Sequence, residues 1–267
     1  MADAPAGGLA AWQALAEPPG AAALAQLQGI EEAPPAAAIE RLRRGCGAAT
    51  VSAAIECAIA RTRARAKFGG RAATLWCDRA GAEMASSPAV ARHKAARFAA
   101  AGAARVDDLC CGIGGDLMEL ARVAEATGTE LDPVRAWMAG RNAGCAVRRA
   151  DALREPGDAP FAHADPARRA GGARIVRGAD LLPPLADLRA ALRGRRGTAI
   201  KLGPGMDLAA GELDAGDEAE FVSERGTLVQ QVLWGGGRAR VHGRHGDRPR
   251  RGPAGRRRPH APRSPGA

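Results

Sequence analysis

Beyond Gly102 the apolar residues fall into short runs near Arg105–Cys110, Gly128–Leu131, Ala146–Arg149, Ala162–Asp165 and Thr198–Leu202. Helical segments lie between them, near Asp116–Ala126, Val134–Ala143 and Leu185–Leu192. Strands that alternate with helices in this way form a parallel sheet covered on both faces, so the pattern predicts an α/β, Rossmann-like architecture. Glu220–Ser223 and Leu228–Trp234 flank Glu224-Arg225-Gly226, a short connection containing Gly, which reads as an antiparallel hairpin. Seven strands are then complete by Trp234.

The first 85 residues read differently. Leu15, Leu24, Leu27, Ile30, Ile39, Leu42, Ile55 and Ile59 recur at roughly helical spacing in an Ala-rich background, with breaks at Pro18-Pro19-Gly20 and Pro34-Pro35. Several short helices up to about Arg65 are predicted. Ser87-Pro88 places a capping hydroxyl and then Pro at the first helical position, a start signal for a helix through Val90, His93, Ala96 and Phe98. The expected organisation is an N-terminal helical region (1–85), a ligand-binding α/β domain (86–237) and an Arg-rich tail (238–267).

The net charge of +10 raises the question of a nucleic-acid partner until the charge is located. Ten Arg and one acid lie between Arg238 and Ala267, whereas residues 1–237 carry 29 basic and 28 acidic groups. The body is therefore close to neutral. The tail holds one Val and no Leu, Ile, Met or aromatic residue, too little apolar area to offset ordering entropy, and is expected to be disordered. Two explanations compete for it, an RNA-binding tail and out-of-frame translation of GC-rich DNA, and the abrupt change at Gly235-Gly236-Gly237 favours the second. No apolar stretch of membrane-spanning length and no signal peptide is visible, which predicts a cytoplasmic protein. The six Cys include no Cys-x-x-Cys pair, so reduced thiols are expected and no metal.

The segment Val106-Asp107-Asp108-Leu109-Cys110-Cys111-Gly112-Ile113-Gly114-Gly115-Asp116 is a strand running into a glycine turn and a helix. Such a turn lets backbone approach a ligand at the carboxyl edge of the sheet. A dinucleotide fingerprint would need Gly where Leu117 stands, which disfavours a nicotinamide oxidoreductase, and no Gly-Lys-Ser/Thr follows for a P-loop. Further acids end the next strands. Glu130 in Thr129-Glu130-Leu131-Asp132-Pro133 can accept from two ribose hydroxyls, and Asp151 can accept from an adenine amino group. Asp165 ends the fourth strand in His163-Ala164-Asp165-Pro166-Ala167-Arg168-Arg169. Single acids at strand ends are commonly helix caps, but four in register with four strands are harder to explain that way.

On these motifs, with Ile200-Lys-Leu-Gly-Pro-Gly205 and Glu220-Phe-Val-Ser-Glu224, the chain resembles the class I S-adenosylmethionine-dependent methyltransferases. Within them it is most similar to bacterial proteins carrying a C-terminal THUMP-like domain. The resemblance runs from about Ser86 to Trp234. It implies that Asp108, Gly112, Gly114 and Asp116 hold the methionine part of S-adenosylmethionine, Glu130 the ribose and Asp151 the adenine. It also implies an RNA-associated THUMP-like domain after Trp234, where the Arg-rich tail stands instead.

Asp165-Pro166 occupies the place of an Asp/Asn-Pro-Pro-aromatic motif in amino-methyltransferases, whose first residue and backbone carbonyl accept from the target amine. Arg168 replaces the aromatic. Asp-Pro-Ala-Arg also looks like the Asp-Pro-Pro-Arg of RNA 5-methyluridine enzymes, but no Cys follows Cys145 to serve as their nucleophile. The expectation is methyl transfer to a nitrogen of rRNA or tRNA, with Asp165 and Pro166 as catalytic groups. Arg168, Arg169 and Lys201 are candidate phosphate contacts, with ion pairs to Asp165 or Asp180 as the competing reading. His163 is expected to be packed rather than catalytic, Cys110 and Cys111 to be small residues fitting a crowded turn, and Trp137 and Met138 to pack a crossover helix on the sheet. The rival from another class is a non-catalytic cofactor-binding or RNA-binding module that has lost its C-terminal domain.

Overall fold

The computed structural model describes residues 4–167, 169–170, 173–174, 177–208 and 212–236. The tail at 238–267 and Arg168 lie outside the described residues. Helices α1 (Gly8–Ala14), α2 (Pro18–Gln26), α3 (Ala36–Cys46), α4 (Ala48–Phe68) and α5 (Arg79–Met84) precede α6 (Pro88–Ala100). The sheet region follows as β1 (Arg105–Leu109), α7 (Leu117–Leu120), β2 (Glu125–Glu130), α8 (Pro133–Ala143), β3 (Val147–Arg149) and β4 (Phe161–Ala164). After a two-stranded ribbon, β5 (Arg169–Ala170) and β6 (Ala173–Arg174), come α9 (Leu185–Ala191), β7 (Gly197–Leu202), β8 (Glu218–Glu224) and β9 (Thr227–Gly235).

Seven strands form one sheet in the order β3-β2-β1-β4-β7-β9-β8. Five are mutually parallel, and the β8–β9 hairpin adds antiparallel to β7. All seven strands read from the sequence are present, with small shifts at their ends. The helix start at Ser87-Pro88 is present too, the Ser87 hydroxyl accepting from Val90 N at 3.3 Å. Asp132 caps α8 in the same manner, accepting from the amides of Val134 and Arg135, both at 2.9 Å.

Three expectations need correction. The helix placed at Asp116–Ala126 is only the four residues of α7, because Glu125 N donates to Ala104 O and pairs opposite Arg105. Strand pairing with β1 overrides the local helix propensity. Not all the N-terminal helices are short, since α4 runs for 21 residues to Phe68. Trp137 and Met138 do not pack α8 on the sheet. Ala139 and Ala143 turn toward the sheet cluster, while Met138 is fully buried with Trp12, Leu15 and Leu24 of the N-terminal layer, and Trp137 stacks edge-on to Trp76 at 4.9 Å. Helix α8 is thus clamped between two layers, small residues on one side and large on the other.

Polar contacts fix the same junction. Arg135 of α8 pairs with Asp78 at 2.8 Å, both side chains more than nine-tenths buried. Asn142 accepts from Trp76 N at 2.9 Å and donates to the carbonyls of Trp76 and Ile113, each at 2.8 Å. At the other end, α6 packs on the hairpin through Arg97, whose guanidinium lies 4.0 Å over the Trp234 ring and pairs with Glu218 at 2.8 Å.

His93 of α6 meets Glu220 of β8 at 2.7 Å, and that hydrogen bond raises the imidazole above its ordinary value. A raised histidine contributes stability that is complete below the unfolded pKa of about 6.5 and is lost as pH rises through the folded value. His93→Gln is therefore expected to flatten the decline of the thermal midpoint as pH rises above about 6.5. Half-exposure of the ring limits the effect to that of a surface pair. A variant whose midpoint follows the wild-type curve across that range would remove the contribution.

Candidate active site

The strand order reverses at β1, with β2 on one side and β4 on the other, and open α/β sheets bind ligands outside the carboxyl ends of strands at such a switch point. A cleft of about 1000 Å³ lies there. The glycine turn, Glu130–Asp132, Asp151 and Asp165–Ala167 line it, and α5 with the segment after it forms a facing wall.

The chain leaves β1 through Cys110 in a left-handed conformation, φ 55°, which L-residues adopt at a cost of roughly 1–2 kcal/mol. Gly112 follows at φ 57° and Gly114 at φ 85°. A Cβ on Gly112 would meet nothing within 4 Å, so its backbone is open to an approaching ligand. A Cβ on Gly114 would stand 3.1 Å from Ala139 Cα, so glycine there lets the turn close against α8. Cys111 is buried and packs in the cluster with Leu117.

Glu130 closes this turn from β2. Its two carboxylate oxygens accept from Gly112 N at 2.8 Å and Asp132 N at 2.9 Å. Burial pushes the carboxyl above its ordinary value while these amides and Arg135 oppose the shift. Asp151, half-exposed at the far rim, accepts from Leu153 N at 2.9 Å. Leu131, two-thirds exposed between the two acids, presents an apolar surface to the cleft.

Strand register explains the cleft floor. Asp108 lies beside His163, and Lys201 follows two residues after Ala199, the partner of His163. Alternation puts all three side chains on the α6 side of the sheet, one step beyond the apolar Val106, Phe161 and Ala199. His163 Nδ1 is 2.7 Å from Asp108 Oδ1, and its Nε2 is 3.2 Å from Lys94 Nζ of α6. An ammonium facing Nε2 makes that nitrogen the acceptor, so the ring proton sits on Nδ1 and is donated to Asp108. Asp108 Oδ2 has no partner among the described residues. Burial drives the Asp108 carboxyl upward, against the pull of His163.

Lys94 also pairs with Asp116 Oδ1 at 2.6 Å, and Ser86 Oγ donates to Asp116 Oδ2 at 2.8 Å. Burial alone would raise Asp116; the Lys94 ammonium overrides it and holds the carboxyl well below the usual carboxylate range. On the acceptor side, Asp165 N donates to Leu109 O at 3.0 Å, and Lys201 Nζ binds Asp165 Oδ2 at 2.6 Å. Lys201 is thus buried in an ion pair, which favours the competing reading over a phosphate contact. Asp180 pairs with Arg177 instead. Arg169 lies in β5, and Arg168 falls outside the described residues. His163 is fully buried, in a polar network rather than an apolar one.

The structure therefore brings Asp108, Gly112, Asp116, Glu130, Asp151, Asp165 and Pro166 to one cleft, with Gly114 packed beneath it. Sequence reasoning missed Ser86 and Lys94. Lys94 lies one residue after His93 on a helix already predicted, and its burial follows only from a partner 22 residues away. Among the described residues no group of three His, Cys, Asp or Glu is placed to hold a metal, and no helix is long and apolar enough to cross a membrane.

Over 198 residues the chain is 35% identical to two curated Mycobacterium tuberculosis proteins, of strains CDC 1551 and H37Rv, each described as an "Uncharacterized S-adenosylmethionine-dependent methyltransferase". The alignment covers 69% of this chain and 54% of theirs, so the chain spans about half the length of the curated relatives it matches. A crystal structure from Porphyromonas gingivalis W83, assigned to the methyltransferases, superposes with a TM-score of 0.63 at 20% identity, over 82% of this chain and 58% of that one. The fold is that of a class I methyltransferase. Residues 8–66, helices α1–α4 of this methyltransferase fold, also match a family model described as "Domain of unknown function (DUF8688)".

Proposed function

We propose that the protein is an S-adenosylmethionine-dependent methyltransferase acting on a nitrogen of RNA. The cofactor reading rests above all on Glu130, a carboxylate fixed at the end of β2 by two backbone amides and lining the cleft beside the open face of Gly112. The unpartnered Oδ2 of Asp108 supplies a second test of fit, since a buried carboxylate oxygen beside the cleft suits the ammonium or sulfonium of such a cofactor. Glu130 would hold the ribose, Asp151 the adenine, and Asp108 with the turn at Gly112–Gly114 the methionine part. Bound there, the cofactor supplies an electrophilic methyl group.

The residues then have little covalent chemistry to perform. They align the acceptor and exclude water. Asp165 and the Pro166 carbonyl would accept hydrogen bonds from the target amine, and Lys201 orients Asp165. The RNA acceptor and a THUMP-like partner domain rest on the sequence resemblance.

One observation favours a second reading for the acceptor, a small neutral or cationic molecule. Among the described residues, Glu83, Asp108, Asp116, Glu130, Asp132, Asp151 and Asp165 line the cleft, against Arg135 as the one basic lining residue, itself bound to Asp78. Lys94 and Lys201 neutralise Asp116 and Asp165, and the carboxylates that remain favour a cation over a phosphate.

Calorimetric titration of the full chain with S-adenosylmethionine tests the cofactor reading, with NADH as control. Micromolar binding of the former alone is expected. Glu130→Ala should weaken it by roughly tenfold or more, the cost of losing charge-assisted hydrogen bonds worth about 1.5–3 kcal/mol. Unchanged affinity in that variant would sink the ribose assignment. Labelled-methyl transfer into total RNA, absent in Asp165→Ala, is the expected outcome for the acceptor, and label appearing only in small molecules would favour the second reading.

A further inference from the structure

The chain has three lysines among 39 basic residues, and all three end on one five-residue segment. Lys67, at the end of α4, donates to the carbonyls of Ala82, Glu83 and Ala85 at 2.9, 2.6 and 3.0 Å. Lys201 of β7 donates to Met84 O at 3.0 Å while it holds Asp165. Lys94 of α6 donates to Ser86 Oγ at 3.2 Å. Every position from 82 to 86 is therefore bound by an ammonium group.

This segment runs from the last turn of α5 to the residue before the α6 cap, and Glu83, Met84, Ala85 and Ser86 line the cleft opposite Asp165-Pro166. Satisfying the free carbonyls of a helix end accounts for Lys67. The same capping explains the Lys201 bond to Met84 O, the last residue of α5, but not the second bond of that ammonium to Asp165, nor Lys94, which reaches the Ser86 side chain from α6. The residue type is informative as well. An ammonium is a compact point with three donors that can serve acceptors converging from different directions, whereas a guanidinium is a planar fork that cannot be enclosed at the same point. In a chain that uses Arg almost everywhere else, Lys stands where that geometry is required.

We propose that Ala82–Ser86 is the wall that positions the reacting ligands against Asp165, and that Lys67 and Lys201 are positioning residues that fix it. The inference rests on the methyltransferase reading of the cleft. Lys201 is the joint, because one ammonium binds the wall at Met84 and the acceptor-side carboxylate at Asp165, setting the separation of the two sides.

Hydrogen exchange of the full chain, read by mass spectrometry on peptides covering 79–90, tests this in wild type, Lys67→Arg and Lys201→Arg, with and without S-adenosylhomocysteine. Each folded variant is expected to exchange about tenfold faster at 82–86, beyond any change shared by the core strands, and to bind S-adenosylhomocysteine about threefold or more weakly. In wild type the ligand should slow exchange at 82–86. Exchange and affinity equal to wild type in both arginine variants would overturn the positioning role. Calorimetric binding to wild type without any change at 82–86 would remove the segment from the ligand site and leave the cofactor reading standing. Failure of folded wild type to bind would sink the cofactor reading and this inference with it.

Discussion

Replacing Lys94 with Met is expected to destabilise the fold by about 3–5 kcal/mol at pH 7, the cost of leaving a buried carboxylate without its countercharge. Asp116 is 5% exposed, and only the Ser86 hydroxyl and, 3.8 Å away, His163 Nε2 would remain beside it among the described residues. His163 would lose the ammonium at Nε2 and its fixed tautomer, so Asp108 would feel the change through the ring. The pH dependence identifies the cause. Because Asp116 is depressed in the fold, its contribution is present above the ordinary carboxylate pKa and is lost as pH falls toward the folded value. The gap between wild type and Lys94→Met should therefore begin to narrow below about pH 5 in urea unfolding. A gap constant down to pH 3 would assign the loss to packing of the lysine stem instead.

Gly114→Val is expected to be nearly as damaging to the fold and more damaging to the cleft. A β-branched residue at φ 85° carries a left-handed penalty of about 1–2 kcal/mol. Its Cβ would also stand 3.1 Å from backbone of α8, adding an overpacking cost of about 1–3 kcal/mol. Relief requires the turn to move off α8, which carries Gly112 away from Glu130 and breaks the 2.8 Å bond between them. Loss of S-adenosylmethionine binding in a protein that still unfolds cooperatively is the expected result. Retained affinity would show that the turn and Glu130 act independently.

Both predictions depend on contacts of different visibility in the sequence. The strands were legible because their apolar runs are short and bounded, and Glu130, Asp151 and Asp165 because each ends one. The partnership of Asp108 with His163 was half-visible. Both keep the two-residue phase of Val106 and Phe161, so they share a face, but adjacency needs the β1–β4 register. Lys94 was hidden because nothing local marks it as buried. The shortness of α7 is invisible because Arg122–Ala126 has no intrinsic objection to a helix, while Glu125 and Ala126 are claimed by pairing with β1. In the N-terminal layer, Ala-rich helical spacing showed that helices exist without showing which neighbour each would meet. Spacing alone therefore places Trp137 on the sheet, whereas Trp76, far away in sequence, supplies its partner.

The clamp on α8 bears on how such a chain can be inherited. Ile113, Val134 and Met138 belong to the same apolar cluster as Trp12, Leu15 and Leu24, and Asp78 neutralises Arg135 across the same junction. A recombination joint at residue 85 would give one half an uncovered apolar groove in which Arg135 has lost Asp78, and the other an Ala-rich bundle in which Asp78 has lost Arg135. The helical layer is thus not a module that can be shuffled onto other sheets, and substitutions at Asp78 or Trp76 should be compensated by changes in α8 rather than within their own helices.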